Sequence, residues 1–258
     1  MIEANEGNDL LVTTIMHFFH ALDAAILTWL NQFVGRAPKF DTLIRLVADW
    51  HFVRSFWLIC FLWWIWFARR DAKTRLKILA GVCGIALATA ISKIMQLMIF
   101  VHVRPFAAVA TTGLSLPANL PIDWGFGSCF PSDTSALHFA IAATIASVSR
   151  RWGIAAFVWV AAVIAIPRIY LLYHYPSDVV AALVLSIVCV TLVQRNKSIL
   201  NALQRSLLIE RVSPQLFYPI FFLCFFQITD SFDVFDKSLR YTKNFQKSII
   251  RPAPGAFQ

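Results

Sequence analysis

Apolar residues in this chain come in long runs separated by short polar breaks, at approximately 11–34, 52–69, 76–103, 132–149, 153–174 and 177–194. A helix needs about 20 mostly apolar residues to cross a bilayer, and fewer where flanking arginines reach back to the interface. The pattern therefore predicts an all-α, polytopic membrane helix bundle of about six transmembrane helices. The first run is the most interrupted, by His17, His20, Asp23 and Asn31. Part of it suits an interfacial position as well as a span.

The polar breaks carry a sidedness. Arg69-Arg70-Asp71-Ala72-Lys73-Thr74-Arg75-Leu76-Lys77 separates the second and third runs, and Arg150-Arg151 separates the fourth and fifth. Positive-inside bias puts both breaks in the cytoplasm. The ends of runs three and five and the starts of runs four and six must then share the opposite rim. Those four ends hold the unusual polar residues: Arg104-Pro105, Ser132-Asp133-Thr134, Arg168 with His174, and Asp178. Topology alone thus gathers arginine, histidine and carboxylate at one membrane depth, where ionisable groups mark a functional site. Beyond Arg195 the apolar stretch 216–228 is too short for an easy span, and basic residues from Lys237 to Arg251 favour retention inside. The expected organisation is a six-helix membrane domain over 1–198 and a C-terminal extension over 199–258. That extension would carry an interfacial, re-entrant or short seventh helix and a basic tail.

Composition agrees. The chain is 59% hydrophobic and only 14% charged, with a mean hydropathy of +0.66, which points to an integral membrane protein. Its net charge of +9 sits in clusters flanking apolar runs, a membrane-orientation pattern that argues against nucleic acid as a partner. Cys60, Cys83, Cys189 and Cys224 fall inside apolar runs and read as small hydrophobes, while Cys129 lies in a polar loop without a neighbour that would favour its thiolate. Glu3, Glu6 and Asp9 replace the basic start of a cleavable signal peptide, so the first apolar run is expected to stay.

The rim residues have a shared chemistry. Pro176 between His174 and Asp178 predicts a helix end followed by a new helix capped at Ser177 or Asp178, across which the carboxylate still reaches the imidazole. Such a carboxylate accepts one ring N–H, fixes the tautomer and leaves the other nitrogen free to attack phosphorus. Arg104 and Arg168 supply planar, permanently charged forks for phosphate oxygens, and the N–H groups of Ser132 to Thr134, opening a helix, supply an anion-binding end. Phosphoryl transfer depends mostly on such positioning and charge stabilisation.

These residues resemble, as a set, the three motifs of the type 2 phosphatidate phosphatase superfamily, whose membrane members resemble vanadium haloperoxidases at the active site. Its pattern is Lys-x6-Arg-Pro, then Pro-Ser-Gly-His, then Ser-Arg-x5-His-x3-Asp. Here the third motif is Pro167-Arg168 with His174 and Asp178 at the family spacing, the second is Pro131-Ser132-Asp133-Thr134, and the first keeps Arg104-Pro105. The resemblance covers roughly residues 30–195. It implies a lipid phosphatase or diphosphatase of the undecaprenyl diphosphate type in a bacterial inner membrane, with its site on the extracytoplasmic face. His174 would be the nucleophile that forms a phosphohistidine, Asp178 its orienter, and Arg104, Arg168 and Ser132 the phosphate ligands. No metal or cofactor is implied; the partners would be a phosphorylated membrane lipid and the bilayer.

Two departures matter. Thr134 stands where the family has the histidine that protonates the leaving group, and losing general acid help typically costs about 100 to 10,000 fold. That cost is largest for a monoester and smallest for a diphosphate, whose leaving group is a stabilised phosphate. His138, one turn beyond Thr134, and Asp133, in place of the family glycine, are the substitute donors within reach, against packing for the first and helix capping for the second. Leu97 stands at the lysine position, with Lys93 one turn earlier and His102 nearby as replacements. Two further readings stay open: a phosphotransferase passing the group from a lipid to another acceptor, and a non-catalytic lipid-phosphate binding or transport protein. Lipid choice would rest on lateral openings and on the loop 106–130, where Trp124 and Phe126 suit the headgroup level.

Overall fold

A computed structural model describes residues 3–50, 52–98, 103–117 and 128–229, with side chains from residue 13 onward. His102, Trp124, Phe126 and the basic tail lie outside the described residues. Every regular element among those described is helical. Helix α1 (Glu3–Asn31) and α2 (Pro38–Asp49) precede a π-helical turn, Phe52–Phe56, which leads into α3 (Trp57–Ala68). Then come α4 (Ala72–Met98), a 3-10 turn at Pro105–Ala108, the single-turn α5 (Val109–Thr112) and α6 (Asp133–Val148). Helix α7 (Arg150–Val160) runs through a π segment, Ala161–Ala165, into α8 (Ile166–Tyr170), and α9 (Pro176–Arg195), α10 (Lys197–Val212) and α11 (Pro214–Thr229) follow.

Among the described residues, three helices are long and apolar enough to cross a membrane: Ala72–Met98, Arg150–Tyr170 and Pro176–Arg195. Counting α2 and α3 with its π turn as one span, bent by 57°, makes a fourth. The chain is an integral membrane protein. Of the six expected spans, α6 is only 16 residues, about 24 Å against a hydrocarbon core of about 30 Å. Its burial shows why a shorter helix suffices. Ala136, Leu137, Ala140, Ile141 and Ile145 are fully buried, and α4, α7 and α9 surround it, so protein and not lipid is its solvent. The fifth segment starts at Arg150 and ends at Tyr170, which leaves His174 in the following loop instead of at a helix end.

Close approach around α6 depends on small residues. A Cβ at Gly84 would meet the Val190 backbone at 2.8 Å, and one at Gly81 would overlap Thr144, so α4 packs tightly on both α9 and α6. Two polar side chains bond across these faces. The Ser186 hydroxyl reaches the Ala136 carbonyl at 2.7 Å, and the Gln194 amide reaches the Lys77 carbonyl at 3.0 Å and Ser147 Oγ at 2.9 Å.

The stretch 216–228 belongs to α11, a 16-residue apolar helix. Its Phe217, Phe221 and Phe225 are buried against Trp63 and Trp66 of α3, with ring centroids 4.7 to 5.8 Å apart. Glu210 fastens this end of the bundle, accepting Arg75 Nη1 at 2.5 Å and the Tyr218 hydroxyl at 2.8 Å, while Arg75 also lies 5.0 Å over the Trp66 ring.

Candidate active site

At the other end of the bundle the backbone sews the rim motifs together. The chain leaves α8 in a tight turn in which the Arg168 carbonyl accepts the Tyr173 N–H at 2.9 Å and, more weakly, the His174 N–H at 3.4 Å. Leu172 sits in that turn at φ +59°, a left-handed conformation that costs a non-glycine residue about 1 kcal/mol. It is fully enclosed, and its carbonyl accepts the Phe106 N–H at 3.0 Å, which ties the turn to the Pro105 segment. Strain held by surrounding contacts is a common companion of functional sites. The second link is the Ser132 N–H to the Asp178 carbonyl at 3.3 Å, the third is Arg104 Nη1 to the Tyr173 carbonyl at 3.1 Å, and the fourth is the Gln96 amide to the Pro131 carbonyl at 2.6 Å. The four ends expected on one rim are together.

His174 is 1% exposed. Its Nδ1 lies 3.0 Å from the Cys129 carbonyl and 3.5 Å from Asp178 Oδ2. A carbonyl can only accept, so Nδ1 carries the proton and Nε2 keeps its lone pair. Nε2 is 3.5 Å from Arg104 Nη1. Burial, the largest influence, pushes the imidazole below the usual histidine range; contact with Asp178 opposes it and the Arg104 charge reinforces it. The ring is therefore neutral with one nucleophilic nitrogen. Asp178 Oδ2 also accepts the Tyr175 N–H at 2.9 Å, so the orienting carboxylate is itself anchored in the first turn of α9. Asp23 of α1 steadies that turn further by accepting the Ser177 N–H at 2.8 Å and its hydroxyl at 2.6 Å.

The cations converge around Asp133. The side chains of Lys93, Arg168 and Arg104 lie near enough to act on its carboxylate. Leu97, at the family lysine position, is 83% exposed and faces away from this cluster, so α4 presents Lys93 there instead. Arg168 is 2% exposed and, among the described residues, its side chain makes no hydrogen bond; its guanidinium lies 5.9 Å over the Tyr173 ring.

The N-terminus of α6 departs from expectation. The Ser132 N–H goes to Asp178, the Thr134 N–H goes to Asp133 Oδ1 at 2.8 Å, and the Ser135 N–H faces Ser132 Oγ at 3.4 Å. The N–H groups of Ser132 and Thr134, expected to receive an anion, are thus already bonded within the chain. The reason is local: an aspartate in place of glycine puts an acceptor where an anion would sit. Ser132 Oγ also donates to Ser135 Oγ at 2.9 Å. Thr134 Oγ1 faces Asp133 Oδ1 at 3.4 Å. His138 has both ring nitrogens engaged, Nδ1 with the Thr134 carbonyl at 2.7 Å and Nε2 with the Ser55 hydroxyl at 2.8 Å.

Cys129, His174 and Asp178 bring potential metal-ligand atoms within 4.8 Å of one another. Burial and the nearby Asp178 charge raise the Cys129 thiol well above its ordinary range, and its S–H faces the Val103 carbonyl at 3.6 Å. A metal site would need the thiolate, which this setting disfavours. Cys129 contributes instead through its backbone carbonyl, a role that side-chain type does not reveal. Sequence reasoning also passed over Arg54, which the π turn buries to 5% exposure near Arg168. The signal was present, since Arg54 begins the run whose other end is Arg69-Arg70 and so belongs to the same rim.

A solved transmembrane PAP2-type phosphatidylglycerolphosphate phosphatase from Bacillus subtilis is similar at 18% identity, covering 72% of this chain and 90% of that one with a TM-score of 0.44. No curated protein matches significantly. The family model described as the PAP2 superfamily matches residues 98–199, a segment that contains Arg104, Ser132, Arg168, His174 and Asp178 and begins just after Leu97, and in that segment the chain is similar to the PAP2 superfamily.

Proposed function

We propose that the protein is a membrane lipid phosphatase that works through a phosphohistidine at His174 and favours isoprenoid diphosphates. The match of residues 98–199 to the PAP2 superfamily model supports the coarser part, a membrane lipid phosphatase. The observation that carries the mechanism is the His174 ring, whose Nδ1–H is held by Cys129 and Asp178 while Nε2 faces Arg104. Arg104, Arg168 and Lys93 would hold the phosphate oxygens, with Asp133 as the counter-charge that keeps these cations together. Nε2 attacks phosphorus, the N–P bond forms as the P–O bond to the lipid leaving group breaks, and water then cleaves the phosphohistidine to release phosphate. The Asp178 charge stabilises the imidazolium character that develops on attack.

Substrate preference follows from the leaving group. Thr134 has no proton to give near neutral pH, and its hydroxyl is directed to Asp133. We assign His138 to holding Thr134 and Ser55 in place, since both its nitrogens are bonded. A leaving group that departs as a phosphate needs least protonation, which favours a lipid diphosphate such as undecaprenyl diphosphate over phosphatidate. Positive-inside bias supports a site on the extracytoplasmic face, and the family resemblance supports a bacterial inner membrane.

The test is turnover with radiolabelled undecaprenyl diphosphate, quenched in denaturing detergent at alkaline pH. The wild type should carry label stable to base and labile to acid, and His174→Ala should carry none and lose phosphate release by more than about 1000-fold. Undiminished release from His174→Ala would remove the proposed nucleophile. Label passed to an added alcohol in place of water would favour the phosphotransferase reading, and binding without label the non-catalytic one.

A further inference from the structure

A lipid substrate brings a hydrocarbon chain to the site as well as a phosphate. Helices α1 and α9 enclose an apolar groove of about 350 Å³ beside the rim that carries His174, within the range of about 300–1,000 Å³ usual for ligand pockets. Its α1 wall is Met16, Phe19, His20 and Asp23, spaced three and four apart on one helical face. Its α9 wall is Ser177, Val180 and Ala181, spaced in the same way, and Phe130 closes a third side. Met16, Phe19 and Val180 are 43% to 53% exposed, so the groove opens sideways to the bilayer.

Covalent and hydrogen-bonded links join this groove to His174. Phe130 follows Cys129, whose carbonyl holds the His174 ring, and Ser177 precedes Asp178, whose carboxylate faces the same ring. Asp23 accepts the Ser177 N–H at 2.8 Å and its hydroxyl at 2.6 Å, which fixes the α1 wall to the turn that orients His174. Among the described residues no lysine or arginine lines the groove, and the Asp23 carboxylate stands at its rim end. It therefore disfavours the phosphate that Arg104 and Arg168 attract and suits the apolar part of the same molecule. A second apolar cavity, about 280 Å³ between α3, α6 and α7, lacks these links. None of its lining residues adjoins Cys129, His174 or Asp178, and it reaches Trp152 beside the Arg150-Arg151 break of the opposite rim.

We propose that the groove between α1 and α9 seats the head-proximal part of the substrate's hydrocarbon chain, while the phosphate binds at Arg104 and His174. This rests on the phosphatase reading and deepens it by assigning where the chain is recognised. The volume takes a short stretch of one chain, and the remainder leaves through the open side into the bilayer. Phe19 and Ala181 are then specificity-determining residues: they touch the chain and not the reacting phosphate. Burial of the chain against them supplies binding energy remote from the bond that breaks. The Asp23 bonds to Ser177 keep the groove and the His174 turn in register, so a seated chain presents its phosphate at a fixed place.

Two measurements on the full chain test it. The first is the ratio of kcat/KM for farnesyl diphosphate to that for methyl diphosphate, which has the same reacting group and no chain. This ratio is independent of the fraction of folded protein. Ala181→Trp, which fills the groove, should lower it about tenfold, mainly through KM, and Phe19→Ala, which removes part of a wall, should lower it less. An equal loss on both substrates, or no change on either, overturns the groove. The second measurement needs no turnover. A farnesyl diphosphonate carrying a diazirine in its first isoprene unit should label residues 16–23 or 177–181, in the wild type and in His174→Ala alike. Farnesyl diphosphate should displace that label and phosphatidylcholine should not. Equal displacement by phosphatidylcholine would make the groove a seat for bilayer lipid, and label absent from both segments would leave it to another occupant such as a second copy of the chain; either result overturns the proposal. Specific labelling of a protein that forms no phosphohistidine would remove the catalytic reading and support the groove.

Discussion

The two halves of the site differ in how completely they are built. On the Arg168–Asp178 side each polar atom that orients His174 has a backbone or carboxylate partner, and one nitrogen is kept open toward Arg104. On the Ser132–His138 side the same density of hydrogen bonding leaves nothing to give. Asp133 takes the Thr134 N–H, and His138 is bound at both nitrogens. Satisfied hydrogen bonds thus serve opposite ends in the two halves: in one they expose a reactive lone pair, in the other they fix a scaffold. Where the leaving group receives no proton, substrate choice has to supply a leaving group that can do without one.

The comparison can be broken most sharply at Asp178. A carboxylate that alone fixes a catalytic histidine's tautomer is worth roughly 10,000-fold when replaced by an amide. Here the Cys129 carbonyl also holds Nδ1–H, so Asp178→Asn should retain the tautomer and lose only about 100-fold in kcat, measured with undecaprenyl diphosphate. A loss as large as that of His174→Ala would mean that the Cys129 contact does not orient the ring. Restoring an acid at Thr134 probes the other half: Thr134→His should raise phosphatidate turnover by about tenfold or more and change diphosphate turnover much less. Equal gains on both lipids would contradict the leaving-group account.

His138→Leu should reveal a structural residue, losing about 2 kcal/mol of stability because the buried Ser55 hydroxyl loses its bond to the ring, while kcat on diphosphate stays within about threefold. The smallest effect concerns pH. Because burial lowers the His174 pKa, Nε2 stays unprotonated below the ordinary histidine value of about 6.5, and the acidic limb of the kcat/KM profile should fall below that value. The same sign holds for stability: the unfolded chain takes up this proton first, so stability declines as pH falls from about 6.5 toward the lowered native pKa. An acidic limb at or above 6.5 would imply that the imidazolium is stabilised instead.

Much of this was legible in the chain. Basic breaks at Arg69-Arg70 and Arg150-Arg151, read with helix lengths, placed Arg104, Ser132, Arg168, His174 and Asp178 on one rim before any coordinates, because lipid forbids unpaired backbone and charge and so makes topology nearly one-dimensional. The same logic extends to Arg54, which it did not single out because one arginine near an apolar run resembles an ordinary interfacial anchor. Helix α6 escaped the length rule because a helix wrapped by other helices need not match the bilayer.

Sequence by itself determined which residue types stand at the rim and that a threonine replaces the acid, since these follow from order, spacing and hydropathy. Only the tertiary structure decided which atoms they offer. It gave the Cys129 carbonyl to His174, turned Leu97 outward and Lys93 inward, tied His138 to Ser55, and buried Arg54 against the Ala48 carbonyl. Each of those outcomes depends on backbone groups and on contacts between distant segments, which side-chain identity along the chain does not encode locally.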